Sequence, residues 1–152
     1  HKFPRVVSVQ NPYSLINRTY EVGMAEMSVR EKVGLLAYSP LAFGMLTGKY
    51  LNGQMPEGSR LKLYSKNFPR YQGTRSQLAV EEYYKIAQKY EMSLTQMSLA
   101  FVNMQPFVDS NIIGATNMKQ LEENINSIHI DLSDEIVKDI NAIHENNPSP
   151  AP

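Results

Sequence analysis

The chain contains no cysteine, which excludes disulfides, a thiolate nucleophile and thiolate metal ligation. It has no excess of charge: 15 Lys and Arg balance 15 Asp and Glu. No global field therefore draws it to nucleic acid or to an anionic membrane. No apolar run approaches membrane-spanning length. His1, His129 and His144 lie far apart without ligand spacing, so no metal site is expected. There is no G-x-S-x-G elbow, no Walker loop and no G-x-G-x-x-G. Glu81-Glu82 and Glu122-Glu123 are sequence neighbours, which on a helix do not share a face and so form no acid–base dyad. No leader-like segment precedes the first apolar run, and the composition predicts a cytoplasmic protein. The start at His1, a few residues before that run, is how an excised piece begins, and a fragment is expected.

What is present is a chain of 152 residues, 42% hydrophobic with nine tyrosines, enough for one domain with a real core. Its organising stretch is residues 34–49, GLLAYSPLAFGMLTGK. Gly34 to Tyr38 reads as a short buried strand, closed at Ser39-Pro40 because proline gives no N–H to a ladder. A loop containing Gly44 and Gly48 follows and ends in Lys49. Tyr38 stands at the strand's C-terminal end, where parallel α/β folds build ligand sites. It is either a core tyrosine or an aromatic that stacks on a flat ring, with loop N–H groups to meet an anion.

Before this stretch, Arg5 to Gln10 is β-branched and stops at Asn11-Pro12. A helix is expected from Asn17, with Val22, Ala25 and Val29 on one face. After it, residues 50–75 lack a period and carry Arg60, Lys62, Lys66, Arg70 and Arg75. That is a long basic loop, functional or a solvated linker. Ser76 to Tyr90 predicts a helix, with Ala79, Tyr83, Ile86, Ala87 and Tyr90 on one face. Ser93 and Gln96 form a capping pattern ahead of Leu94, Met97, Phe101 and Met104. Ser110 to Ala115 predicts a third strand. A helix bearing Leu121, Ile125 and Ile128 follows, then one capped by Ser133, with Ile136, Val137, Ile140 and Ile143 inward. The segment NNPSPAP is expected to fray.

Three strands alternating with helices predict a parallel α/β architecture, either a small open sheet or part of a barrel. Ile113-Gly114-Ala115-Thr116-Asn117 runs into a helix N-terminus, which favours anions. Gln120 either serves a ligand there or closes a cap on Asn117. Glu123 and Asn124 lie one turn on.

VQNPYSLINR, LLAYSPLAFGMLTGKY, GSR and IIGATNMKQLEENI, in that order and spacing, resemble the C-terminal half of aldo-keto reductases. The nearest likeness is the bacterial Tas-type branch, which is also similar to potassium-channel β-subunits. The resemblance covers essentially the whole chain. It implies the C-terminal part of a (β/α)8 TIM barrel, about three strands with their helices plus a C-terminal helix. On that view residues 1–152 are one portion of a single barrel domain, whose N-terminal half would be the partner of this one. It further implies NADPH as cofactor and a small carbonyl compound as substrate.

By the same resemblance Gln10 looks like the residue that bonds the nicotinamide carboxamide, and Tyr38 like the aromatic stacked on the ring. Ser39, Pro40, Leu41 and Ala42 look like the loop along the pyrophosphate, with Lys49 closing on it. Arg60, with Ser59 beside it, looks like the group near the adenosine phosphate. Gly114, Ala115, Thr116 and Gln120, with Glu123 and Asn124, look like the segment around the 2′-phosphate and adenine. The family's catalytic aspartate, tyrosine, lysine and histidine belong to its N-terminal half. The resemblance therefore assigns no catalytic residue here, and the piece alone would be inactive. Where many relatives place a basic residue, this chain has Gln120. The competing class is a non-catalytic nicotinamide-binding or redox-sensing subunit like the channel β-subunits, or a structural fragment.

Overall fold

Gly34–Tyr38, small and apolar, forms the central strand β2. It lies between β1, Ser8–Pro12, and β3, Val108–Ile112, in a parallel sheet of order β1-β2-β3. The computed structural model describes residues 3–152, except for the side chain of Ser65. His1, weighed above as a metal ligand, lies outside the described residues. The helices are α1, Met24–Glu31; α2, Arg60–Tyr64; α3, Thr74–Lys89; α4, Leu94–Asn103; α5, Met118–Asn126; and α6, Asp134–Asn146. None of them is long and apolar enough to cross a membrane.

Side chains alternate across a strand, and β2 shows what that does here. Leu35 and Ala37 are fully buried, whereas Gly34, Leu36 and Tyr38 are half-exposed. The buried pair packs into a core that includes Leu15, Ile16, Met97, Phe101 and Ile140. The other face of the sheet is the one turned away from this core. Helices cover the sheet on the Leu35 and Ala37 side, as they cover the strands of a (β/α)8 barrel.

Several boundaries differ from expectation, for physical reasons. β1 runs through Asn11-Pro12 instead of stopping there. Pro12 lies opposite Tyr38, and the bond to the Tyr38 carbonyl comes from the N–H of Tyr13, so the missing proline donor costs nothing. β3 ends at Ile112 and not at Ala115, because Ile112 lies opposite Tyr38, the last residue of β2. Beyond it there is no ladder to join.

The helix expected from Asn17 begins only at Met24. Ser14 and Asn17 exchange backbone hydrogen bonds, the Asn17 side chain accepts from Thr19, and Gly23 takes a φ of 151°. The helical phase shifts accordingly. Val22 and Val29 face solvent, and the buried contact is Tyr20 against Ser28. Met104, Ile125 and Ile128 are likewise exposed. Met104 follows the end of α4, Ile128 lies beyond α5 in the turn Ser127–His129, and α5 turns Asn124 inward instead of Ile125. Residues 50–75 are folded, not a linker. Tyr50 accepts a bond from the Leu61 N–H, and Leu61 and Tyr71 are buried.

The segment expected to fray is fastened. Ala151 is fully buried and donates its N–H to the Ile16 carbonyl. Ser149 Oγ accepts from Arg18 N at 3.1 Å, and Ser76 Oγ donates to the Pro150 carbonyl at 3.0 Å. Arg70 and Arg75 reach the carbonyls of Pro152 and Pro148. The anchor beneath is an ionic cluster. Arg18 binds both Glu21 oxygens and Asn141 Oδ1, over the Phe101 ring, while Tyr13 OH donates to Glu21. Burial alone would raise the Glu21 carboxyl, but the bonds from Arg18 and Tyr13 hold it below the ordinary carboxylate value. Deleting residues 148–152 should lower the unfolding free energy of the whole protein by about 2–4 kcal/mol, at about 1 kcal/mol per buried bond. Chemical denaturation reads this, and a loss below about 0.5 kcal/mol would show that the segment fastens nothing.

Candidate functional site

The ends of the three parallel strands gather the sequence's candidates at one end of the sheet. Gln10 is opposite Leu36 and Pro12 is opposite Tyr38, so Gln10 and Tyr38 project from the same, open face one step apart. Gln10 is exposed and Tyr38 half-buried. From Tyr38 the chain enters an unusual turn. Ser39, Ala42, Phe43 and Gly44 all have positive φ, at 55°, 48°, 61° and 96°. For three non-glycine residues this is strained backbone, of order 1–3 kcal/mol each, which persists only where the surroundings enforce it. Here the enforcement is visible. The Ser39 carbonyl accepts from Ala42, the Leu41 carbonyl accepts from Gly44 and Leu46, and Pro40, Ala42, Met45 and Leu46 are buried.

Lys49 folds back over this turn. Its Cε lies 3.0 Å and its Nζ 3.1 Å from where a Cβ on Gly44 would stand. Glycine at 44 thus serves both the positive φ and the lysine's passage. Ser59 and Arg60 open α2. Ser59 Oγ is buried and has no hydrogen-bond partner among the described residues. The Arg60 guanidinium carbon is 5.6 Å from the Phe43 ring centre. One terminal nitrogen of Arg60 is 3.6 Å from where a Cβ on Gly114 would stand. The fold therefore brings Arg60 and Gly114 together from 54 residues apart (114 − 60).

Gly114, Ala115 and Thr116 are exposed and lie in the loop after β3, not in the strand. Asn117 caps α5, its Oδ1 accepting from Gln120 N at 3.0 Å. Gln120 Oε1 in turn accepts from Thr116 N and Oγ1, both at 2.9 Å. Of the two readings of Gln120, the local cap is the one these bonds describe. Glu123 accepts from Ser93 Oγ at 2.7 Å, and Asn124 donates to the Gly114 carbonyl at 3.3 Å. Asn124 thus braces the turn that carries Gly114, while Glu123 ties α5 to the Ser93 cap of α4. No group of three His, Asp or Glu side chains suited to a metal converges among the described residues. Sequence reasoning missed Phe43, Phe68 and Tyr71, whose rings form one cluster beside Arg60. An aromatic just before Gly44, with two more in the basic stretch, was the available signal.

The chain belongs to the aldo/keto reductase family, whose model matches residues 1–145. It is 53% identical over all of its 152 residues to the protein Tas of Escherichia coli K12, of which it covers 44%. It is 38% identical to an aldo-keto reductase of Babesia bovis, with 90% of this chain and 50% of that protein aligned. A third relative, L-glyceraldehyde 3-phosphate reductase of Escherichia coli K12, is 32% identical over 84% of this chain and 38% of its own length. The chain thus spans about half the length of these relatives or less. Among solved structures, a glycerol dehydrogenase from Gluconobacter oxydans superposes with a TM-score of 0.73 at 24% identity, covering 93% of this chain and 43% of that one. The fold is part of a (β/α)8 barrel.

Asn117→Ala should cost about 0.5–2 kcal/mol of stability, the usual worth of an N-cap. Urea titration of the variant measures it. Gln120→Ala, which removes only the exposed bonds to Thr116, should cost less.

Proposed function

We propose that this chain is the C-terminal, NADP(H)-binding part of a cytoplasmic aldo-keto reductase that reduces a small carbonyl compound. The single observation that carries this reading is Arg60. It is the only arginine among the described residues that makes neither an ion pair nor a hydrogen bond, and it stands beside Gly114. Arg5, Arg18 and Arg30 pair with carboxylates, and Arg70 and Arg75 bind backbone or amide oxygens. A guanidinium left without an acceptor, next to a buried serine hydroxyl without a partner, fits a phosphate supplied by a ligand.

NADPH, when bound, supplies the hydride, and the protein's task is orientation. In this reading Tyr38 offers its ring to the nicotinamide, and Gln10 holds the carboxamide from the same face of the sheet. The turn from Ser39 to Ala42 follows the pyrophosphate, with Lys49 closing on it. Ser59 and Arg60 take the 2′-phosphate. Gly114 to Gln120, with Glu123 and Asn124, form the adenosine end, where Asn124 acts chiefly by holding the Gly114 turn. The family relationship and two relatives named as reductases support the reading. The groups that move protons to the substrate lie in the N-terminal half of the same barrel, which would also cover the open face of the sheet.

Two measurements on the whole protein test this. NADPH and NADH differ by one phosphate, so Arg60→Ala should raise the Michaelis constant for NADPH by roughly ten- to a hundredfold and leave that for NADH nearly unmoved, from the worth of a charge-assisted bond. Equal losses for both cofactors would remove the 2′-phosphate role. Tyr38→Ala should weaken NADPH binding by roughly 1–3 kcal/mol in a fluorescence titration, the range for a base on an aromatic ring. An unchanged dissociation constant would take Tyr38 out of the site.

A further inference from the structure

Phe43 is a bulky residue with a left-handed backbone, φ 61°, a conformation that is a true outlier for such a side chain. Its neighbours show where the ring is sent by it. The Phe43 and Phe68 centroids are 4.1 Å apart, and Tyr71 lies 5.9 Å from Phe43 with its ring nearly parallel, 4° off. Tyr71 is only 3% exposed, so the cluster is anchored in the core at one end. At its other end stands the Arg60 guanidinium. The turn after β2 thus reaches across to α2 through one ring.

An arginine on a surface helix ordinarily samples many rotamers, and freezing it when a ligand arrives costs free energy. A ring face attracts a guanidinium without using any of its N–H donors. Held this way, Arg60 keeps its whole donor fork for oxygens that come from outside. A carboxylate partner would hold it as firmly but would compete for that fork. From this geometry we infer that Phe43, backed by Phe68 and Tyr71, is a positioning residue. It presets Arg60 for the 2′-phosphate of the cofactor, and it acts through Arg60, touching no reacting atom. The inference rests on the NADP(H) reading above and adds to it the residue that determines how strongly the phosphate counts.

The test uses the whole protein and two probes, 2′,5′-ADP and 5′-ADP, titrated calorimetrically. Phe43→Leu keeps apolar bulk and loses the ring face. It should weaken 2′,5′-ADP about three- to tenfold, the worth of a partly exposed cation–π contact, and change 5′-ADP less than about twofold. Phe43→Tyr, which keeps the ring, should retain wild-type discrimination. Phe43→Asn suits the left-handed backbone and lacks the ring. It should behave as Phe43→Leu does, and it serves if the leucine variant does not fold. Arg60→Ala runs alongside. Selective loss in Arg60→Ala with none in the ringless Phe43 variants overturns the positioning role and leaves the NADP(H) reading standing. No selective loss in Arg60→Ala overturns that reading itself. Equal losses of both probes in Phe43→Leu and Phe43→Asn would assign the ring to the shape of the turn alone, and the inference would fall.

Discussion

Parallel strands cannot be joined by a tight turn, and that constraint orders everything else in this molecule. Each return from the end of one strand to the start of the next needs a long crossover. Here the crossovers run through α1 and through α2, α3 and α4. They bury one face of the sheet, Leu35 and Ala37, and put all three strand exits at the same end. Gln10, Tyr38 and Gly114 lie at the same end of the sheet because of this topology and not because of any local attraction between them. The second crossover is far longer than this constraint demands, and it carries Lys49, Ser59 and Arg60 on its way to α3.

Two arginines in the described structure stand in contrast. Arg18 is nearly buried and bonded through all three of its nitrogens, two to Glu21 and one to Asn141. A buried pair of this sort holds only with its hydrogen bonds complete. Arg60 is its opposite: exposed, without an acid, and steered by a ring. Both sit over an aromatic, Phe101 in one case and Phe43 in the other. What separates the two arginines is the presence or absence of an internal acceptor.

Much of the architecture was legible in the sequence. The small apolar run at Gly34–Tyr38 reads as a strand because nothing else there can bury it, and Ser93, Asn117 and Ser133 each cap the helix they precede. The faces of α3 and α6 followed their period. Three things were not legible. The extent of β3 depended on where its neighbour stopped, which is information held by β2. The phase of α1 depended on the turn that Ser14 and Asn17 make and on Gly23. The fate of residues 147–152 depended on Ile16, Arg18 and Ser76, far away in the chain. At the site, the residue types at positions 10, 38, 60 and 114 were readable. The approach of Arg60 to Gly114 and the Phe43 cluster were not, because both arise between segments with no shared pattern.

The fastening of the last segment also sets an order of events. Arg18 and Ser149 meet across 131 residues, so their bond closes a loop of almost the whole chain. Closing a loop of that size costs little more than closing one of half its length, about 0.6 kcal/mol per doubling. The penalty is in time, since contacts between distant residues form late when local ones lead the way. The sheet and the α3–α4 layer can assemble first and present Ile16 and Ser76 as a ready-made seat. The segment then docks on a surface that already exists. In the reverse direction it is the piece that can lift away with the core still intact, a local opening well below the global one. Its prolines at 148, 150 and 152 suit that role, because a stiff strap has less disorder to surrender each time it settles back.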